Sequence, residues 1–190
     1  MAKTYSYDEM LDLINKDLDR IDDFFEIPND LISLKPEPDS WSACEIIQHI
    51  CKFNGLYVEQ IDKALESGEM LKANGQQFKP RFIFRQFIRF LEPPYKLKTK
   101  TIAPMYPNNT GEINPEKPIQ NLKESNLQIS KRIEDYRDQQ LDLNNIKGKN
   151  PVLQWVSMSL IEFILILEAH QRRHFWQLEQ TLLRLSGNKY

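Results

Sequence analysis

The segment from Ser157 to Leu185, SMSLIEFILILEAHQRRHFWQLEQTLLRL, reads as one long helix and decides the fold. At about 100° per residue, Leu160, Phe163, Leu167, Leu178 and Leu185 fall in one apolar sector, while Glu162, Glu168, Arg172 and Glu179 fall outside it. Gly187 follows as a stop. Two of the chain's three histidines, His170 and His174, lie in the same sector as the leucines and point to the core. Residues four apart on a helix place their Cβ atoms about 6 Å apart, so both imidazoles can reach one ion.

The third histidine, His49, sits on a second strongly marked helix. Ser42 and Glu45 form an S-x-x-E capping box, and Trp41 and Ile46 take the two positions of a hydrophobic staple. This helix is expected to run to Ser67-Gly68, with Gly68 as its left-handed stop. His49 lies beside Ile46, Phe53 and Tyr57, at the edge of the core-facing side. A buried neutral imidazole needs partners for both ring nitrogens, and a buried charged one is costly. A divalent cation satisfies one nitrogen of each ring, and three protein ligands leave a position open for water or substrate. Two histidines four apart also arise by chance, so ordinary hydrogen-bonded core histidines are the competing reading.

Two further helices complete the pattern. The first covers Ser6 to Phe25, with Met10, Leu11, Ile14, Leu18, Ile21 and Phe25 recurring at threes and fours. The other covers Ile119 to Leu141, through Leu122, Leu127 or Asn126, Ile129, Ile133 and Tyr136. A linker carrying Pro28, Pro36 and Pro38 joins the first two helices. The expected class is all-α: a four-helix bundle with a long crossover between helices 2 and 3, in a single domain over residues 1–190. The crossover holds a short extra helix over Pro80–Leu91, with Arg81, Arg85 and Arg89 along one side, and then a Pro-rich stretch from Pro93 to Pro115. The arginine stripe reads as a solvated face, with a lid, a dimer surface or an anion contact as alternatives.

Composition narrows the function classes. Of 190 residues, 41% are hydrophobic and 27% charged, enough for a real core. Twenty-five basic against 27 acidic side chains give a formal charge of −2, so no cationic footprint for nucleic acid exists. The richest apolar stretch, Val152–Leu167, carries Gln154 and Glu162 and falls short of the ~20 residues of a membrane span. The first residues lack the apolar core of a signal peptide, and a cytoplasmic protein is expected. Cys44 and Cys51, seven apart on one helix, have Cα atoms roughly 10.5 Å apart, beyond the ~7 Å limit of a disulfide.

Two motifs carry a family resemblance. Trp41-Ser42-Ala43-Cys44-Glu45-Ile46-Ile47-Gln48-His49-Ile50 resembles the W-[ST]-x-x-E-[IL]-[IL]-x-H-[IL] motif of the DinB/YfiT-like superfamily. His170-Gln171-Arg172-Arg173-His174-Phe175-Trp176-Gln177-Leu178 resembles its closing H-x-x-R-H-x-x-Q-[IL] motif. The resemblance spans about residues 6–186. It departs at Asn150-Pro151, where many relatives have His-Pro, and at Gln154-Trp155, which replaces a Gly-containing turn. It implies a four-helix bundle whose His49, His170 and His174 bind a divalent metal such as zinc, nickel, iron or cobalt. It also implies a metal-dependent enzyme. Some relatives transfer a low-molecular-weight thiol (bacillithiol, mycothiol or glutathione) to an electrophile.

Three activities follow as expectations. A thiol S-transferase acting on a small electrophile comes first. A hydrolase using metal-bound water comes second, although it needs a nearby carboxylate base, and Glu45 is already claimed by its cap. A non-enzymatic metal- or ligand-binding bundle, or a homodimer, comes third. Gln177, three residues after His174, reads either as a group orienting a ligand or as an ordinary surface glutamine, and Tyr57 as a core residue first and a hydroxyl for a substrate second.

Overall fold

The structure, a computed structural model, describes residues 3–67, 70–94, 101–108 and 114–187. It is all-α in class. The helices are α1 (Tyr7–Phe24), α2 (Asn29–Ser33), α3 (Ala43–Ser67), α4 (Phe82–Leu91), α5 (Glu116–Asp138) and α6 (Leu160–Leu185). One small antiparallel ribbon, β1 (Lys147–Lys149) and β2 (Ser157–Ser159), pairs Gly148 with Met158. The long helices pack α1 on α5 and α6, and α3 on α5 and α6.

Several boundaries differ from the sequence reading. The first three residues of the expected last helix are strand β2, because Ser159 is the true N-cap and forms a capping box with Glu162. The expected third helix starts three residues earlier and ends at Asp138; Leu141 instead bridges to Lys72. The linker after α1 contains the short helix α2. The stop at Gly68 and residues 95–100 and 109–113 of the Pro-rich stretch lie outside the described residues.

Three of the four long helices begin on the same device. Ser6 with Glu9, Ser42 with Glu45 and Ser159 with Glu162 each exchange side-chain and backbone bonds. Such a box satisfies two of the N–H groups that a helix start leaves orphaned.

Helix α6 is enclosed on all sides from Leu160 to Gln171, and 17 of its 26 residues are buried. Two of its acids outside the leucine sector, Glu162 and Glu168, are therefore buried too, while Glu179 stays exposed. Glu162, fully buried, accepts from the backbone N–H and both sides of the Arg81 guanidinium, at 2.9, 2.8 and 2.7 Å. Burial opposes ionisation of Glu162, but the bonds from Arg81 and Ser159 outweigh it and hold the carboxyl below its usual value. Arg81 is thus an anchor rather than part of a solvated stripe. Arg85 lies over the Phe82 ring, and α4 leaves Phe82 and Ile83 in solvent.

The interior divides into two apolar clusters. One gathers Tyr7, Met10, Ile14, Phe53, Ile129, Ile133 and the first half of α6; the other gathers Ile21, Phe24, Ile46, Ile47, Ile50, Ile119, Leu122, Phe175 and Leu178. Between them every long helix contributes buried polar groups: Asp17, His49 and Asn54, Asn126, and His170, Gln171 and His174. On α5 it is Asn126 that turns inward, while Leu127 is half exposed.

Gln171 ties this layer together. Its Oε1 accepts from Asn54 Nδ2 (2.9 Å) and Asn126 Nδ2 (2.8 Å), and its Nε2 donates to Asp17 Oδ2 (2.8 Å) and Asn126 Oδ1 (2.9 Å). All four hydrogen-bonding sites of the amide are used. Gln171→Leu, which strands these partners in a dry interior, is expected to lower unfolding free energy by about 3 kcal/mol, measured by urea denaturation. A loss below about 1 kcal/mol contradicts the network's role.

Candidate metal centre

Helix α3 supplies His49 one turn after the Glu45 cap, and α6 supplies His170 and His174 from successive turns. The three side chains, all buried, could hold a metal ion: one ring nitrogen from each lies within 4.8 Å of the others. His170 Nε2 and His174 Nε2 are 3.1 Å apart. Two nitrogens bound to one tetrahedral zinc at 2.0–2.1 Å stand about 3.3 Å apart, so the pair on α6 is already spaced for an ion.

The other ring nitrogens decide which one faces the centre. His49 Nδ1 lies 2.8 Å from the Met105 carbonyl, and His174 Nδ1 lies 2.9 Å from Gln177 Oε1. Both oxygens only accept, so each Nδ1 carries the proton and each Nε2 presents a lone pair inward. Of the two readings of Gln177, the one that touches His174 is the one seen. His170 is held differently: its ring stacks on Phe53, centroids 3.5 Å apart and 7° from parallel, and its buried Nδ1 has no hydrogen-bond partner. Two facing lone pairs on His170 and His174 repel unless a cation or proton lies between them. This buried, uncompensated donor set fits a divalent cation.

The surroundings keep the imidazoles neutral, as ligation requires. Burial is the first cause in each case. It lowers His49 against the opposing bond to Met105, pushes His170 well below its usual value, and brings His174 down to about 3. The Arg173 charge adds to the depression of His170 and His174. Trp41 packs with its ring centroid 5.1 Å from His49, and Tyr106 lies 6.2 Å from Trp41.

Other expected participants stand apart. The Tyr57 hydroxyl takes a long bond from Asn150 Nδ2, and burial raises its pKa to about 12. Cys44 and Cys51 are free thiols; burial raises both, Cys51 to about 12, so neither is a thiolate at neutral pH. Glu45 is occupied by Ser42 N–H and by Lys35 Nζ at 2.9 Å. The role of Met105 was not legible in sequence, because a backbone carbonyl brought in by a 3-10 turn (Ala103–Met105) leaves no side-chain signature.

The chain matches no family model, no curated protein and no solved structure. Among the described residues, no helix is long and apolar enough to cross a membrane.

Depressed imidazole pKa values set a pH dependence. The unfolded chain takes protons on these rings below about pH 6.5, whereas the folded apoprotein does not until far lower pH. The imidazole contribution to stability is therefore complete above about 6.5 and is lost as pH drops from there toward 3. For His174 alone the loss between pH 7 and pH 5 is roughly 2 kcal/mol. Urea midpoints of the chelator-treated protein should fall across this range, with a shallower slope in His174→Gln; parallel profiles for the two proteins contradict the assignment.

Proposed function

We propose that this chain is a DinB/YfiT-like metal-dependent enzyme that joins a small thiol to an electrophile. The four long helices fit the bundle of that superfamily, and residues 68–115, between α3 and α5, fit its long crossover. The carrying observation is the convergence of His49, His170 and His174 as buried, neutral rings with their donors turned inward.

A divalent cation held by these rings supplies Lewis acidity, which lowers the pKa of a thiol or water that reaches it. The chain's own part is positional and electrostatic. Met105 and Gln177 fix two rings by their Nδ1 protons, and Phe53 fixes the third by stacking. Trp41 and Phe53 keep the neighbourhood apolar, which strengthens every charge interaction inside it. Arg173 adds positive charge beside two of the rings, favouring an anionic sulfur over a neutral oxygen as the approaching group. In the proposed reaction the thiol gives up its proton, sulfur bonds to the electrophilic carbon, and the leaving group departs with the displaced electron pair. The attacking thiol belongs to a cosubstrate, because both cysteines of the chain are held protonated. Hydrolysis is the weaker reading, since Glu45, the acid one turn from His49, is bound into its cap and to Lys35.

Elemental analysis of purified protein should give one divalent ion per chain, and His170→Ala should abolish it with helix content unchanged by circular dichroism. Equal metal in both proteins removes the site. With the metal-loaded chain, bacillithiol, mycothiol or glutathione should react with monobromobimane above the uncatalysed rate. No acceleration by any of the three, across zinc, nickel, iron and cobalt, removes the transferase reading.

A further inference from the structure

On the side of α6 turned away from the imidazoles, α1, α4 and α6 enclose a cavity of about 360 Å³, within the size range of small-ligand sites. Glu168 and Arg172 face it, roughly 160° around the helix from His170.

Most charges on its wall are already matched. Arg172 binds Glu168 through two bonds, at 2.7 and 3.0 Å, and lies 3.8 Å from Glu92. Arg20 pairs with Glu179 and rests over the Phe175 ring. Three groups are left over, two cations and one acid: Lys3, whose Nζ lies 4.6 Å over the Tyr5 ring, Lys16 and Asp17. Asp17, only 3% exposed, accepts the Gln171 amide on Oδ2, and among the described residues nothing donates to its Oδ1. Lys16, exposed at the rim, makes no ion pair among the described residues. Leu13, Ile88 and Leu165 supply an aliphatic wall.

A buried carboxylate whose only bond comes from a neutral amide is costly in a low-dielectric interior, and an ammonium group donating to its free oxygen offsets that cost. Neighbouring Lys16 stays in solvent and does not provide it. We propose that this cavity binds a small aliphatic α-amino acid: its ammonium on Asp17, its carboxylate on Lys16, and its side chain against Leu13, Ile88 and Leu165. Both a buried acceptor and a peripheral cation are engaged by such a zwitterion, whereas a simple amine or a simple carboxylate engages one. None of the three imidazoles lines this cavity, and the proposal does not rest on the activity proposed for them.

Calorimetric titration of the full chain with L-leucine, leucinamide and isocaproate tests the assignment. L-leucine should bind saturably with one site per chain, and the two truncated probes about tenfold more weakly or not at all. Asp17→Asn keeps an acceptor for Gln171 and should weaken L-leucine binding about tenfold; Lys16→Ala, on the exposed face, should weaken it without affecting the fold. His49→Ala should leave L-leucine binding unchanged, which separates this site from the metal centre. Absence of saturable binding up to about 10 mM L-leucine overturns the proposal, as does binding that survives both the Asp17 and Lys16 substitutions.

Discussion

The saturated amide of Gln171 is the constraint on which the rest of the interior depends. A side chain with two donor and two acceptor sites, placed in a dry core, is tolerable only where four partners converge on it. Asn54, Asn126 and Asp17 converge from three other helices, so the axial positions of α1, α3, α5 and α6 are set together. Sliding any one of them by a turn would bring an asparagine or aspartate against Ile or Leu and leave the amide unpaired. The apolar clusters above and below contribute most of the burial energy, at about 25 cal/mol per Å² of apolar surface, but they discriminate poorly between neighbouring registers. The polar layer supplies that discrimination.

The same layer places the histidines. His170 and His174 flank Gln171 on α6, and His49 stands on α3 between Ile46, Ile47 and Ile50. Once the register is fixed by the amides, the imidazoles arrive at one level without further adjustment, and only ring rotation remains. That freedom is removed by three different means: a backbone carbonyl, a side-chain amide and an aromatic stack. Burial acts on both sides of the layer in the same sense, towards neutrality. It lowers the imidazoles, which readies them as donors, and raises Asp17 well above the ordinary carboxyl range, with Glu168 adding to the rise. One physical cause therefore yields a set of cation acceptors shared by α3 and α6 and an under-compensated acid on α1.

The all-α class and the histidine cluster were legible because they rest on periodicity and spacing, which a sequence displays directly. The capping box at Ser42 and Glu45 fixed the start of α3 correctly, and the identical signature at Ser159 and Glu162 would have moved the start of α6 past Met158. Asp17 was also visible in principle: it occupies the place between Ile14 and Ile21 in a stripe of Met10, Ile14, Ile21 and Phe24. At that level the helix has no wet side, and Asp17 is only 3% exposed. Arg81 misled for the complementary reason. Its four-residue spacing with Arg85 and Arg89 describes α4 in isolation, whereas its partner Glu162 is far away in the chain and buried. Met105 could not have been found at all, because the group it contributes is common to every residue.

The capping boxes and the polar layer together explain why two short motifs are enough to specify the centre. In the first motif, Glu45 closes the helix start by binding the Ser42 N–H, which fixes the rotation of α3 one turn before His49. In the second, Gln171 locks α6 against three neighbours immediately after His170, and Gln177 secures the ring of His174. Each motif therefore carries its ligands together with the group that orients the helix bearing them. Between the motifs, Asn54 and Asn126 complete the polar layer, and Phe53 and the Met105 carbonyl hold two of the rings. Such a division places the ligands near the start of α3 and in the middle of α6, and the 3-10 turn adds only the Met105 carbonyl.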